Sequence, residues 1–323
     1  MSITRRTATA GLASLALVRP AAAQGFPAKQ IRIVVPYPGG GPTDALARII
    51  EQELRETKGW NVIVENKAGA SGAIGTREVA KAEPDGHAIV LGNNQTHATN
   101  AFLIKEPGYD PIADFAPLAG LADLQHVLVA RKSLGVTTVA ELIAIAKKDP
   151  GKLNYGSTGT GSGSHLAMEL LKTITGAQMA HIPFKGAAPM AIEIVAGRID
   201  VAFATLPSVL GQIQGGEMIA LAVASDTRAP QLPGGKLRKG QGVNGGEADS
   251  WLAMFAPAKT PAPVLQALST AVLDALAKPA VAANAIKQGI AVNIRKPDAF
   301  RAYHADEMKK WAGVIRKAQI KIE

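Results

Sequence analysis

Apolar and polar residues along this chain follow two periods, one typical of strands and the other typical of helices. The mostly apolar run Ile31–Val35 predicts a buried strand. The next segment opens near Thr43 and places Leu46, Ile50 and Leu54 on one face of a helix. Because such strand-helix units recur almost throughout, the pattern indicates an α/β protein with mainly parallel sheets.

The same two periods locate further elements down to the C-terminus. Strands are predicted at 62–64, 88–91, 127–129, up to 155, and at 181–182, 201–203, 219–223 and 251–255. Helices are predicted at 73–82, from 138 to about 149, and at 164–173, 190–196, 261–276, 281–288 and 297–316. Thr138 and Glu141 have the spacing of a capping box. The stretch 230–247 is rich in proline, glycine and lysine and predicts a surface loop.

The length of 323 residues exceeds what a single hydrophobic core usually organises, so two domains are expected. The C-terminal part supplies mostly helices, whose apolar faces need a sheet to pack on. We therefore expect residues 24–124 and 250–323 to form one discontinuous lobe and residues 125–249 to form a second lobe. Two chain crossings would then make a hinge, with a ligand cleft between the lobes.

Residues 1–23 have the composition of a cleaved export signal. Arg5 and Arg6 form a charged start, residues 8–18 are apolar, and Ala21–Ala23 offers a small-residue cleavage site. A membrane anchor is the alternative, but the apolar run is far shorter than the ~20 residues needed to span a bilayer. We expect cleavage near Ala23, and the paired arginines leave both Sec and twin-arginine export open.

Composition removes several classes of function. The chain has no cysteine, and hence no disulfide, thiolate nucleophile or cysteine metal site. Its formal charge is +9, which falls to about +6 when Arg5, Arg6 and Arg19 are removed with the signal. Basic residues are dispersed and aromatic residues make up only 4%, unlike a nucleic-acid surface. A modest positive field favours anionic solutes.

The loop at 37–44, Tyr-Pro-Gly-Gly-Gly-Pro-Thr-Asp, joins a buried strand to a helix start. Glycines there let the backbone approach a ligand, and the free amides of the first helical turn attract an anion. Thr43 or Asp44 can cap the helix, or Thr43 can donate its hydroxyl to a ligand. An ordinary tight strand-to-helix connection explains this single loop equally well.

A second loop of the same kind, at 156–165, reads Gly-Ser-Thr-Gly-Thr-Gly-Ser-Gly-Ser-His. In a closed cleft the two helix starts would face each other across one carboxylate, with the Thr158, Thr160 and Ser162 hydroxyls as added donors. His165 either touches the ligand or is a polar residue at a helix start. Asn94 and Thr96 either belong to a glycosylation acceptor motif or contribute amide and hydroxyl contacts to the cleft.

Motifs for catalysis and cofactors fail on inspection. Ser162 stands where a phosphate-binding loop needs its lysine, and Leu166 stands where a dinucleotide fingerprint needs its third glycine. The six histidines have no metal-ligand spacing. A hydrolase or transferase using the same anion loops stays an alternative, although no nucleophile and base can be paired. We therefore expect no enzyme, no cofactor and no metal.

Nine short motifs follow one another along the chain, at 33–44, 64–72, 84–86, 109–111, 114–117, 150–157, 164–165, 181–186 and 206–208. With them the chain resembles the Bordetella uptake gene (Bug) family, the periplasmic receptors of tripartite tricarboxylate transporters. The resemblance runs from about Phe26 to the C-terminal helix.

The resemblance implies a type II periplasmic-binding-protein architecture, a periplasmic location, closure around a small carboxylate and delivery to a membrane permease. We expect a monomer. It also implies that one ligand carboxylate meets both glycine-rich loops. By position, the implied contacts are Tyr37, Gly40, Gly41, Thr43 and Asp44 in the first loop and Thr158, Gly159, Thr160 and Ser162 in the second.

The chain departs from the family pattern between Phe203 and Leu206, where many members carry an acidic residue and this chain offers only the Thr205 hydroxyl. Without that acid, a candidate partner for an ammonium group is missing. We therefore expect a ligand without an amine, such as a dicarboxylate, a tricarboxylate or an aromatic acid. A receptor that signals to a membrane sensor without transport is the alternative function.

Overall fold

The computed structural model describes residues 25–224, 231–232, 249–317 and 320 of the chain. The expected export signal and almost all of the predicted loop at 230–247 lie outside the described residues.

The described elements alternate as the apolar pattern predicts. The strands are β1 (Ile31–Val35), β2 (Val62–Asn66), β3 (Ala88–Asn93), β4 (Phe115–Leu124), β5 (His126–Arg131), β6 (Asn154–Ser157), β7 (Ala180–Pro183), β8 (Val201–Thr205), β9 (Met218–Val223), β10 (Ser250–Pro257) and β11 (Ala291–Arg295). The helices are α1 (Pro42–Lys58), α2 (Ala73–Ala80), α3 (Asn100–Leu103), α4 (Val139–Lys148), α5 (Gly163–Thr175), α6 (Ala187–Val195), α7 (Leu206–Gln214), α8 (Ala262–Ala277), α9 (Pro279–Lys287) and α10 (Pro297–Lys317). Short turns of other helical types occur at Ala70–Gly72, Gln95–Thr99 and Lys132–Leu134.

The first sheet has six strands in the order β11-β4-β10-β3-β1-β2. Strands β1, β2 and β3 are parallel, whereas β10 runs antiparallel to both β3 and β4. All eight residues of β10 are buried, as expected of a central strand covered on both faces. Helices α8 and α10 pack on β4. The C-terminal part of the chain therefore supplies a central strand of this sheet and helices that cover it.

The second sheet has five strands in the order β7-β6-β8-β5-β9. Strand β6 is parallel to β7 and β8, and β5 is antiparallel to β8 and β9. The expectation of mainly parallel sheets was wrong, because the pairings made by β5, β10 and β11 are all antiparallel. Strands β5 and β10 follow the two chain crossings. An apolar run predicts a strand, but it does not predict whether that strand runs parallel or antiparallel to its neighbours.

The chain passes from the six-stranded to the five-stranded sheet between Leu124 and His126 and returns at Ser250. One buried apolar cluster contains residues of both sheets, among them Phe115 and Leu128, together with Trp311 of α10. The two sheets are thus joined by shared packing as well as by the two crossings. The division into two lobes stays a prediction.

Several elements match their predictions closely. Strand β1 has the predicted bounds, and Thr138 and Glu141 form the complete capping box at the start of α4. Strands β4 and β11 and helix α7 were not predicted. The register of β4 against β10 shifts at two places, so β4 lacks the regular alternation that marks a strand. Among the described helices none alone has the length and apolar character of a membrane span, and α8 and α9 reach it only together across a 72° bend.

Candidate ligand-binding site

A cavity of about 70 Å³ lies between the two sheets, where the loops that follow β1, β3, β6, β7 and β8 meet. In open α/β sheets, ligands bind outside the carboxyl ends of the strands, because the following helix starts converge there. Eight residues predicted from the sequence line this cavity. They are Tyr37, Gly41, Thr43, Asp44, Asn94, Thr158, Ser162 and Thr205.

Helix α1 begins after the first glycine-rich loop, with Gly41 as its N-cap. Because glycine has no side chain, no side-chain oxygen at the N-cap position caps this helix. The expectation that Thr43 or Asp44 caps the helix was therefore wrong. Pro42 occupies the first helical position, which places Thr43 and Asp44 inside the first turn instead. Thr43 is 5% exposed and lines the cavity.

Asp44 is a carboxylate in the cavity wall, and its two oxygens accept hydrogen bonds from protein donors. Oδ2 accepts from the Gly40 amide and from Arg48 Nε, both at 3.0 Å, and Oδ1 accepts from Asn66 Nδ2 at 3.1 Å. Burial opposes ionisation, but the hydrogen bonds from Arg48, Gly40 and Asn66 outweigh it, so the pKa of Asp44 is lowered. Asp44 therefore stays ionised and holds its loop in place.

The Gly40 amide is used by this bond, and Gly40 does not line the cavity. Its φ of 87° is in the left-handed region that favours glycine. The structure thus accounts for Gly40 through backbone conformation, whereas the predicted ligand contact stays a prediction.

The Tyr37 side chain lies against the loop after β3. Its hydroxyl is 2.9 Å from both Asn93 Oδ1 and Gln95 Oε1. Burial is the main reason that the pKa of Tyr37 is raised, so the phenol stays protonated. Asn93 Oδ1 also accepts from the Gln95 and Thr96 amides, which ties Tyr37 to the start of the helical turn Gln95–Thr99.

Asn94 carries an unused donor in the wall of the cavity. It is 1% exposed, its Oδ1 accepts from Ser250 Oγ, and its Nδ2 has no hydrogen-bond partner among the described residues. A Cβ atom placed on Gly163 would lie 3.1 Å from this Nδ2, so the amide lies at the start of α5. An unpaired buried donor is costly, and a ligand acceptor would satisfy it.

Thr96 is surrounded by protein atoms and does not line the cavity. It is fully buried, and its Oγ1 accepts from the Asn93 amide at 3.0 Å and lies 2.9 Å from His97 Nδ1. The Thr96 hydroxyl is thus bonded within the protein, and its contact with a ligand stays a prediction.

The second glycine-rich loop enters α5 through Ser162, whose Oγ accepts from the His165 amide. Ser162 is therefore the N-cap of α5. Ser164 Oγ lies 2.8 Å from Ser162 Oγ and accepts from the Thr158 amide at 2.9 Å. Because Ser162 satisfies the His165 amide, the first-turn amides of α5 left without an intrahelical acceptor are those of Gly163 and Ser164, beside Asn94.

Two carbonyl groups of this loop contact the other sheet's elements. The Thr160 carbonyl accepts from Ser71 Oγ and Gln95 Nε2, at 3.1 and 3.2 Å. The Gly161 carbonyl accepts from Thr99 Oγ1 at 2.7 Å. Gly159 and Thr160 do not line the cavity, and this part of the loop is instead the contact between the two sheets.

His165 lies behind the loop and does not line the cavity. Its Nδ1 accepts from the Gly161 amide at 3.0 Å, and its ring stacks on His181 with centroids 4.0 Å apart. Burial lowers the pKa of His165 to about 4, with His181 and Lys172 adding to the shift and Glu169 opposing it. The neutral ring therefore supports the loop, which favours the interpretation of His165 as a structural residue at a helix start.

Several cavity residues were missed from the sequence as site residues, among them His126, Lys185 and Ser250. His126 and Ser250 lie at the two chain crossings, and nothing local to either marks a site. Lys185 has a signal, since Gly186 follows it and begins α6, a third glycine-preceded helix start. Among the described residues no group of histidine, aspartate and glutamate side chains could hold a metal ion.

A crevice at converging helix starts, lined by backbone amides, hydroxyls and a buried amide donor, defines the class: an α/β solute-binding protein. The chain matches the family model described as "Tripartite tricarboxylate transporter family receptor" over residues 46–320. The chain therefore belongs to this receptor family, which is the family that the motifs predicted.

Known proteins of the same kind are similar over nearly the whole chain. Protein BugT of Bordetella pertussis is 32% identical, with 100% of both chains covered. The Rhodopseudomonas palustris protein Rpa4515, solved with adipate, is 35% identical with a TM-score of 0.89, over 92% of this chain and 99% of that one. MatC from the same organism, solved with bound malate, is 30% identical with a TM-score of 0.85, over 90% of this chain and 100% of that one. These similarities confirm the Bug family and the periplasmic-binding-protein fold.

Proposed function

We propose that this protein is a periplasmic receptor that encloses a small carboxylate without an amine between two lobes, for uptake by a tripartite tricarboxylate transporter. The observation that carries the proposal is the composition of the cavity wall. Helix starts from both sheets meet there, and the buried Nδ2 of Asn94 has no described partner. Amide donors and helix starts are suited to a carboxylate.

The charges at the cavity support an anion without an ammonium group. Asp44 is the acidic side chain among the described lining residues, and Arg48 and two further donors already occupy it. Thr205, at the end of β8, offers only a hydroxyl, which lies 3.1 Å from Ser208 Oγ. An ammonium group would thus find no free carboxylate, whereas a ligand carboxylate finds several donors.

The similar receptors with adipate and malate support the same class of ligand. Family membership supports delivery to a membrane permease. We further propose export with removal of residues 1–23 and function as a monomer.

Enzymatic function has little support from the site. Ser157 Oγ and His181 Nε2 are 2.6 Å apart, which resembles a nucleophile and base. However, Ser157 is fully buried, neither residue lines the cavity, and burial lowers the pKa of His181 to about 4, which makes a poor base. We therefore propose binding without catalysis.

Calorimetry tests the proposal with acids that differ in one group. Malate and aspartate form one pair, because an ammonium group replaces the hydroxyl, and adipate and succinate extend the range of length. We expect at least one acid without an amine to bind with micromolar or tighter affinity and aspartate not to bind. Binding of amino acids alone would contradict the proposal. Native mass spectrometry of protein from its own periplasm would identify a retained ligand and show the oligomeric state.

Asn94→Asp provides the matched variant. It keeps the size of the side chain and the acceptor for Ser250, but it places a carboxylate where the unpaired Nδ2 lies. We expect affinity for the best acid to fall at least about tenfold at neutral pH, since a hydrogen bond to a charged group is lost and a like charge is introduced. Asn284→Asp, an equal charge change on the exposed face of α9, should leave affinity unchanged. Equal affinities for wild type and Asn94→Asp would argue against this site.

A further inference from the structure

Lys185 lines the cavity with a basic side chain and lies outside the two glycine-rich loops. Apart from Tyr37, whose phenol stays protonated, the ionisable side chains among the described lining residues are Asp44, His126 and Lys185. Asp44 is paired with Arg48 at 3.0 Å. Lys185 is exposed and forms no ion pair with any residue that the structure describes. Its charge is therefore available to an anion.

Helix α6 starts directly after Lys185, with Gly186 as its N-cap and no side-chain capping bond. A Cβ atom on Gly186 would lie 3.6 Å from Cδ of Pro38, so the start of α6 lies against the loop before α1 from the other sheet. Gly186, Ala187 and Ala188 line the cavity. The first-turn amides of α6 and the lysine ammonium thus favour negative charge at the same end of the cavity.

The buried Asn94 amide marks a different part of the wall. Its unpaired Nδ2 lies at the start of α5, which follows β6, whereas Lys185 precedes α6, which follows β7. Strands β6 and β7 are adjacent and parallel, and adjacent strands lie about 4.8 Å apart. The helix starts that follow these two strands are therefore neighbours, which places both within reach of the two carboxylates of one small diacid.

We propose that Lys185 is a specificity-determining residue that binds the second carboxylate of a dicarboxylate, while Asn94 and the start of α5 hold the first. This inference rests on the proposed function and adds to it the number of charges on the ligand. A monocarboxylate of the same length would use only the Asn94 end.

Calorimetry with matched acids tests the role of Lys185. The pairs are adipate and hexanoate, succinate and butyrate, and malate and 3-hydroxybutyrate, in each of which the second acid lacks one carboxylate. We expect wild type to prefer the dicarboxylate, and Lys185→Gln to weaken the preferred dicarboxylate about fivefold, since one charge-assisted contact at an exposed side chain is lost. The affinity for the matching monocarboxylate should stay within about twofold, because it does not use this contact.

Two control variants separate this contact from general electrostatics. Lys185→Arg keeps the charge and should retain most of the dicarboxylate affinity. Lys148→Gln removes an equal charge from the exposed face of α4, away from the cavity, and should change neither affinity.

The outcomes distinguish the inference from the function on which it rests. If wild type binds carboxylates but Lys185→Gln changes nothing, or weakens both members of a pair equally, the role of Lys185 is overturned and the receptor function stands. A wild type that binds monocarboxylates as tightly as dicarboxylates overturns it as well. If wild type binds none of the six acids, the role of Lys185 is overturned, and the ligand that native mass spectrometry identifies decides whether the proposed function stands.

Discussion

Residues near the cavity divide into those that face a ligand and those that hold the loops in place. Asn94 and Lys185 have donors that no described residue uses. Asp44 and His165 belong to the second group, since their acceptor atoms bind the loop amides of Gly40 and Gly161. Affinity should therefore depend on the first group directly and on the second group through the loop conformation.

The stacked pair His165 and His181 should make the stability of the protein depend on pH. Burial lowers both pKa values from 6.5 to about 4, and Glu169 and Lys172 are the charged groups that act on both rings. An unfolded chain therefore binds more protons than the folded protein between about pH 6.5 and pH 4. The contribution of the pair to stability is complete above pH 6.5 and is lost as the pH falls through 4.

His165→Gln removes one of these titrating groups while keeping an acceptor for the Gly161 amide. We expect the free energy of unfolding, measured with urea between pH 4 and pH 7, to depend less steeply on pH in the variant than in wild type. Part of the dependence should remain, because burial also lowers the pKa values of His97 and His304. Parallel curves for the two proteins would show that His165 is protonated equally in the folded and unfolded states.

At the scale of elements, helix starts determine both stability and site geometry. Helix α4 begins with a complete capping box, in which Thr138 Oγ1 accepts from the Glu141 amide at 3.2 Å and Glu141 accepts from the Thr138 amide at 3.1 Å. Helix α6 has no such side chain at its N-cap. In α4, away from the cavity, the helix's own residues cap the start, whereas α6, at the cavity, leaves its first-turn amides to a ligand.

Thr138→Ala should therefore lower the free energy of unfolding by about 1 kcal/mol, because the Glu141 amide loses its capping oxygen. Thr138→Ser retains that oxygen and should recover most of the loss. Ligand affinity should be unchanged in both variants, since α4 does not line the cavity. Chemical denaturation and calorimetry on the same preparations check both expectations, and a loss of affinity would show that α4 is coupled to the site.

For the whole molecule, the contacts between the two sheets suggest how a ligand would act. The Thr160 and Gly161 carbonyls accept hydrogen bonds from Gln95 and Thr99, and the cavity lies between the same sets of loops. A ligand that binds helix starts of both sheets adds further bonds between them. Binding should then favour the arrangement in which the sheets are close.

We therefore expect the radius of gyration, measured by small-angle X-ray scattering, to decrease when a dicarboxylate such as adipate or malate is added at saturating concentration. Asn94→Asp should show no decrease at the same ligand concentration, because it lacks the donor that the ligand needs. A radius that is unchanged in wild type, although calorimetry shows binding, would mean that the two sheets do not move relative to each other.

The sequence by itself determined the local elements and the two predicted loops. Strand β1 and the capping box at Thr138 were predicted closely, because side-chain period and capping depend on residues within a few positions of each other. Eight of the predicted site residues line the cavity for the same reason, since they lie where a strand is followed by a helix start, in the loop or in the flanking turn or strand end.

Only the tertiary structure decided which distant residues complete the wall and which loop residues turn away from it. His126 and Ser250 reach the cavity because the chain crosses between the sheets at both places, and Lys185 reaches it because β7 is the neighbour of β6. His165 is held by ring stacking on His181, which lies on strand β7, whereas the Thr96 hydroxyl is bonded locally to the Asn93 amide. Apolar period records which face of an element is buried, but strand order and direction depend on packing between segments far apart in the chain.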